Sequence, residues 1–254
     1  MKKNYPVGLF TLIFICLLIP LHGRNLDNTK IDWWLVRSKD HSTPRVNDSL
    51  NFDLKSYDAY YVGDTSSKVL YLTFDEGYEK GYTPKILDVL KEKDVKAIFF
   101  VTSPYIASNP DLIKRMVDEG HIVANHSYHH PSMPTYTSDP NKFANEFNDV
   151  ASKYEALIGK PMIKLFRPPM GHYSEKSLAM TKDLGYKTVF WSSAYADFDV
   201  AKQPSHETAK KIILGNLHNG SIILLHAVSK TNAEVLGELI DGARQMGYTF
   251  ELFN

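Results

Sequence analysis

The chain has 254 residues, 43% hydrophobic and 23% charged, an ordinary globular composition with enough apolar material for one large α/β domain or two small ones. Lys+Arg and Asp+Glu are both 29, so the formal net charge is zero. That balance excludes the basic footprint expected of a nucleic-acid-binding protein, and a neutral or weakly charged ligand suits it better.

Residues 1–23, MKKNYPVGLFTLIFICLLIPLHG, place Lys2 and Lys3 ahead of an apolar run from Val7 to Leu21. A run of about 15 residues is short of the ~20 that a membrane span needs. A basic start followed by an apolar middle matches an export signal, with an uncleaved anchor as the alternative because PLHG fits the small-residue cleavage rule poorly. Removing this segment, which contains no acid, leaves a net charge of −2. Cys16, the single cysteine, lies within it, so the remaining chain can form no disulfide. The expected location is extracytoplasmic, at the cell wall or membrane, with membrane contact only through this segment.

Residues 24–68 have aromatics, charges and Pro44 but no sustained period, and read as an irregular arm packed on a main domain. Trp33 and Trp34 in the arm either pack against that domain or line a cleft. From Val69 the pattern becomes regular. Apolar runs at Val69–Phe74, Lys96–Thr102, His121–Asn125, Lys164–Arg167, Lys187–Ser192, Ser221–His226 and Tyr248–Phe253 read as strands. Residues 83–93, 109–120, 139–159, 174–185, 206–220 and 231–247 read as helices. In 139–159, for example, Phe143, Phe147, Val150 and Tyr154 fall at helical spacing ahead of Gly159. This alternation predicts a parallel α/β fold over 69–254.

The polar signals share one kind of position. Asp75 and Glu76 follow the first strand, His126 the third, Arg167 the fourth, Asp197 lies just beyond the fifth, and His226 ends the sixth. In a closed α/β barrel the C-terminal strand ends form one rim, where such enzymes build their sites. His126 and His130 are four apart, a spacing that on a helical turn puts both imidazoles on one face and suits a cation such as Zn²⁺; capping or packing histidines share the spacing. Asp75–Glu76 offers one carboxylate for a metal and one as free base, the alternative being an N-cap or surface pair. RPPMG, Arg167 to Gly171, reads as a rigid turn in which Arg167 either orients a carboxylate or sits on the surface. His226 is either a satisfied core group or, paired with Asp197, a usable acid near neutral pH.

TFDEG, HSYHH, RPPMG, WSSAYADF and LLH, in that order, resemble the polysaccharide deacetylases of carbohydrate esterase family 4, the NodB-homology domain. The resemblance runs from about Val69 to the C-terminus. IDWWLVRS in the arm and HAVSKTNAEVL after the sixth strand are more particularly similar to the delta-lactam-biosynthetic de-N-acetylases, which act on muramic acid in spore-cortex peptidoglycan.

The resemblance implies a distorted (β/α)7-type barrel and a metal-dependent hydrolase that removes N-acetyl groups from amino sugars of peptidoglycan. N-acetylmuramic acid lacking its stem peptide is the first substrate; N-acetylglucosamine in peptidoglycan or a chitin-like oligomer is the alternative. Asp75 is implied as general base, His126 and His130 as metal ligands with Glu76 at the third ligand position, and Arg167 as the group orienting Asp75. The Met170 N–H is implied at an oxyanion site, with Asp197 tuning His226 as general acid and Tyr195 and Phe198 beside the substrate. The cofactor is a divalent cation, zinc first, with cobalt or manganese possible, and the protein is expected to be monomeric.

Two positions depart from the family pattern. Glu76 stands where Asp is usual, and its extra methylene displaces the carboxylate by roughly 1.5 Å, against a tolerance of about 0.2 Å for metal bonds. Phe198 replaces a common Trp. A glycan-binding module that kept the cleft but lost activity is the competing class; Tyr128, Tyr173, Trp191 and Tyr195 would then be stacking faces for sugars.

Overall fold

The computed structural model describes residues 26–46 and 49–253; the segment read as an export signal, with Cys16, lies outside them. The arm runs through β1 (Ile31–Asp32), the antiparallel pair β2 (Leu35–Val36) and β3 (Arg45–Val46), and then β4 (Ala59–Tyr60). Next come β5 (Val69–Glu76), α1 (Thr83–Glu92), β6 (Ile98–Val101), α2 (Ser103–Ser108), α3 (Pro110–Asp118), β7 (Ile122–Asn125), α4 (Pro140–Ile158) and β8 (Leu165–Phe166). The chain finishes with β9 (His172–Tyr173), α5 (Glu175–Asp183), β10 (Lys187–Val189), α6 (His206–Gly215), β11 (Ser221–His226), α7 (Lys230–Gln245) and β12 (Thr249–Phe250).

The main sheet is parallel and ordered β11-β5-β6-β7-β8-β10-β4, with β12 added to β5. Its ends curl together. Beyond β10 the chain forms a parallel bridge between Ser193 and Ile223 of β11, with the Ser192 N–H donating to the Ile222 carbonyl (2.9 Å) and the Leu224 N–H to the Ser193 carbonyl (2.9 Å). The expected distorted barrel with parallel strands is therefore present. The arm is less irregular than its sequence suggests: β4 pairs in parallel with β10 as an edge strand of the main sheet, so the sheet begins before Val69. Two residues are too few to show a period, which is why the signal was missed. The short α2, opened by Thr102, was also not expected; the Thr102 hydroxyl accepts from the Tyr105 N–H.

Strand alternation divides the core in two. Val69 and Tyr71 of β5 join Ile98, Phe100, Ala124, Leu165, Val189 and Ile222 inside the barrel. Leu70, Leu72 and Phe74 point the other way and pack with Ile86, Leu87, Ile113, Val150, Leu236 and Ile240 beneath the helices. β5 is buried along its whole length because both faces are covered. No helix among the described residues is long and apolar enough to cross a membrane.

α4 shows how local signals set an element. Asp139 caps it, accepting from the N–H groups of Asn141 and Lys142 (both 3.0 Å); Pro140 occupies the first turn, and Gly159 ends it in the left-handed conformation (φ 76°).

Trp33 fixes the arm to the barrel. Its ring stacks on Phe190 (4.1 Å between centroids), its indole N–H donates to the Trp191 carbonyl (3.0 Å), and its backbone N–H donates to the Gly171 carbonyl (2.9 Å). Tyr173 completes this cluster, fully buried, so it does not offer the sugar-stacking face that the competing glycan-binding module would have used. Trp33→Ala should lower the urea midpoint by the equivalent of about 3–5 kcal/mol; an unchanged midpoint would show the arm to be an appendage.

Candidate active site

The rim at the C-terminal ends of β5, β7, β8 and β11 holds a cavity of about 780 Å³, lined among others by Asp75, His126, His130, Met170, Tyr195, Phe198 and His226. Asp75 is delivered by the same alternation that puts Tyr71 inside the barrel. Its register partner across the parallel pair is His226, so a carboxylate and an imidazole stand side by side where two strands end together.

Arg167 lies beneath them, fully buried rather than on the surface. Its Nη1 donates to Asp75 Oδ1 (2.8 Å) and Thr73 Oγ1 (2.9 Å), its Nε to the Val189 carbonyl (3.0 Å), and its Nη2 to the Phe190 carbonyl (3.3 Å). The guanidinium also lies over the Phe100 ring at 4.2 Å from the centroid. Burial would raise Asp75, but the Arg167 charge, with smaller help from His126 and His226, outweighs it and holds the carboxyl below the usual carboxylate range.

His126 donates from Nδ1 to the Arg167 carbonyl (2.8 Å). Because a carbonyl can only accept, the proton of the neutral ring sits on Nδ1 and the Nε2 lone pair faces Asp75 Oδ2 at 3.5 Å. Burial draws His126 down to about 4. His130 stands 5.0 Å away, ring centroid to ring centroid. The two histidines meet as expected, but on a loop rather than a helical turn. Ser127 (φ 69°) and His130 (φ 59°) are both left-handed, and the Ser127 hydroxyl accepts from the His130 N–H (3.0 Å).

Glu76 does not join them. Being next to Asp75 in an extended strand, it faces the helix layer, where Thr83 donates to Oε1 (3.3 Å) and Oε2 is buried without a partner. Burial, then the Glu79 charge, pushes its carboxyl well above the usual range, which favours the neutral acid. The expectation of Glu76 as third metal ligand is thereby corrected. Among the described residues no group of three His, Cys, Asp or Glu side chains is placed to hold a metal ion.

His226 donates from Nδ1 to Asp197 Oδ1 (2.7 Å), and its backbone N–H donates to Asp197 Oδ2 (2.8 Å). Burial opposes its charge, yet the Asp197 hydrogen bond and charge prevail and raise it above the ordinary imidazole value. Asn232 donates to Asp197 Oδ2 (2.6 Å), and the Tyr195 hydroxyl in turn donates to Asn232. Phe198 is exposed beside His226, with ring centroids 6.0 Å apart.

Sequence reasoning overlooked Glu146 and Asn232. Glu146 lies on the buried stripe of α4 between Phe143 and Phe147. Its Oε2 accepts from the N–H groups of Tyr128 (3.0 Å) and His129 (2.9 Å), and its Oε1 pairs with His129 Nδ1 (2.8 Å), fixing the histidine loop. A carboxylate on an otherwise apolar stripe was the signal available. Asn232, buried in the first turn of α7, offered the same one.

A family model for polysaccharide deacetylases matches residues 62–189. The chain is 45% identical over 224 residues to the peptidoglycan-N-acetylmuramic acid deacetylase PdaA of Bacillus subtilis, covering 88% of this chain and 84% of that protein. The solved structure of B. subtilis PdaA, a family 4 carbohydrate esterase, is similar with a TM-score of 0.85 at 44% identity, covering 89% of this chain and 96% of that one. A family 4 carbohydrate esterase from Bacillus anthracis follows with a TM-score of 0.73 at 41% identity, covering 90% and 96%. The chain belongs to the polysaccharide deacetylase family, the family 4 carbohydrate esterases, and is an enzyme of that class.

Deacetylases of this family are in general metal-dependent. The donors here do not complete such a site: two imidazoles face the cavity, Asp75 is bound to Arg167, and Glu76 is turned away. Glu76→Gln should leave zinc affinity unchanged in competition with a chromophoric chelator. It should also raise the urea midpoint at pH 7. A carboxyl with a raised folded pKa binds more protons folded than unfolded, so it costs stability as pH rises through its unfolded value. Lost zinc affinity in this variant would reinstate Glu76 as a ligand.

Proposed function

We propose that the protein hydrolyses the N-acetyl group of N-acetylmuramic acid in peptidoglycan glycan strands lacking their stem peptides, outside the cytoplasm after export by residues 1–23. The substrate is taken from the relative at 45% identity. One observation carries the chemistry: a carboxylate and an imidazole are register partners on adjacent strands in one cavity, each hydrogen-bonded to its own orienting group of opposite charge.

Asp75 accepts a proton from water as that water attacks the acetamide carbonyl carbon. The developing oxyanion is met by the Met170 N–H. Met170 lies in the left-handed region (φ 58°), a costly conformation for a side chain with a Cβ and of the kind that clusters at functional sites. His226 then donates from Nε2 to the leaving nitrogen as the C–N bond breaks, because an unprotonated amine leaves poorly. Acetate and the free amino sugar result, and the proton on Asp75 returns to His226 through solvent. Arg167 keeps Asp75 ionised and aimed; Asp197 does the same for the charged form of His226, supported by Asn232 and Tyr195. Phe198 forms an apolar wall beside the acid.

Asp75→Asn should abolish acetate release from denuded glycan strands while leaving the circular dichroism spectrum unchanged; retained release would remove Asp75 as the base. Comparing denuded strands, intact peptidoglycan and chitooligosaccharide by acetate release and mass loss tests the substrate, and preference for chitooligosaccharide would overturn the muramic reading.

The pH profile tests the acid. His226 has a raised folded value, so activity requiring its proton is present below that value and lost as pH rises through it. Asp197→Asn should move the alkaline limb of kcat/KM to lower pH; an unmoved limb would assign that limb to another group.

A further inference from the structure

The loop between β10 and α6 borders the catalytic cavity with Tyr195 and Phe198 and carries Asp197, the partner of His226. Near its end stands Gln203. The Gln203 Nε2 donates to the carbonyls of Asp197 (3.0 Å) and Asp199 (2.8 Å), and its Oε1 accepts from the Ser229 hydroxyl and the Thr231 N–H (3.4 Å). These partners fix the amide's orientation. A carbonyl only accepts and a backbone N–H only donates, so the nitrogen faces the loop and the oxygen faces the first turn of α7. Both donors and both acceptor positions are thereby filled. A half-buried glutamine could take the same bonds from water, so four protein partners at once point to a task in the loop.

The four bonds belong to a circuit around Asp197. Gln203 holds the Asp197 carbonyl, and the Ser229 hydroxyl donates to Gln203. Ser229 Oγ accepts from the Asn232 N–H (3.1 Å) as the cap of α7, and Asn232 Nδ2 returns to Asp197 Oδ2 (2.6 Å). The His226 carbonyl is tied to the same turn, accepting from the Ser229 N–H (3.1 Å) and Asn232 Nδ2 (3.0 Å). Among the described residues no backbone–backbone hydrogen bond holds Asp197 or Phe198. The Gln203 amide therefore fixes the backbone of Asp197, as Asn232 fixes its carboxylate.

We propose that Gln203 is a positioning residue for the general acid, holding Asp197 so that its carboxylate meets His226 Nδ1 in the orientation that proton donation from Nε2 requires. The role rests on the function proposed above, in which His226 is that acid.

The charged and titratable groups facing His226 are Asp197 from the loop, Asp75 of β5, Arg167 after β8 and His130 of the histidine loop. Gln203→Met changes none of them and nearly keeps the side chain's volume. On denuded glycan strands it should lower kcat about tenfold with KM unchanged. It should also move the alkaline limb of kcat/KM to lower pH, because a loosened Asp197 supports the imidazolium less. Ser229→Ala, which breaks the circuit at the next link, should move the limb the same way. Added to Asp197→Asn, Gln203→Met should move it no further, since its effect passes through that carboxylate. An unmoved limb in Gln203→Met overturns the proposal, as does an equal shift with and without the Asp197 carboxylate, or a raised KM in place of a lowered kcat. If wild-type protein releases no acetate from denuded strands, or the limb ignores Asp197→Asn, the proposed function fails on its own. Gln203 is then judged by the imidazole proton resonances of His226 followed through pH: a lower midpoint in Gln203→Met than in wild type supports the role, and an equal midpoint overturns it.

Discussion

Arg167 holds a positive charge at zero exposure under the mouth of the barrel, and much of the surrounding structure keeps that charge acceptable. A buried guanidinium is costly unless its donors are matched and its charge is paired. Here its donors reach Asp75 and Thr73 of β5 and the carbonyls of Val189 and Phe190 at the end of β10. The same residue's own carbonyl fixes the tautomer of His126. One side chain therefore ionises Asp75, spans the barrel interior and, through its backbone, aims a histidine. Its burial also explains why two prolines follow it: Pro168 and Pro169 have no N–H to leave unsatisfied in a crowded turn.

The asymmetry between Asp75 and Glu76 has the same origin. Two consecutive acids in a strand cannot serve one cavity, because successive side chains leave opposite faces. Asp75 meets a guanidinium that lowers its pKa; Glu76 is buried among Thr83, Tyr105 and Glu79, and its pKa is raised. Two carboxyls one residue apart are thus shifted in opposite directions by the faces of the sheet they take.

The arm contributes more than cover. β4 extends the parallel sheet, Trp33 packs against Phe190 and Trp191, and Gly171 is pressed between Trp33 and Trp191 so closely that a Cβ there would lie 2.8 Å from the Trp33 Cβ. The RPPMG turn, which places Met170 at the cavity, is therefore held from outside by the arm as well as from inside by Arg167.

The sequence by itself determined the alternation of strand and helix, the parallel barrel, and the gathering of Asp75, His126, Arg167, Asp197 and His226, because apolar periodicity and polar interruptions at strand ends are local properties of the chain. The ordered motifs added the family. Tertiary structure alone decided which face each acid takes, since β5 carries apolar residues on both faces and its alternation cannot be read until one side is known to be the barrel interior. It also decided that Arg167 is buried, that the His126–His130 pair sits on a left-handed loop, that Tyr173 is core, and that Glu146 and Asn232 brace the site. Those outcomes depend on contacts between residues far apart in the chain, such as Arg167 with Asp75 and Glu146 with His129, and no local pattern encodes the distance between them.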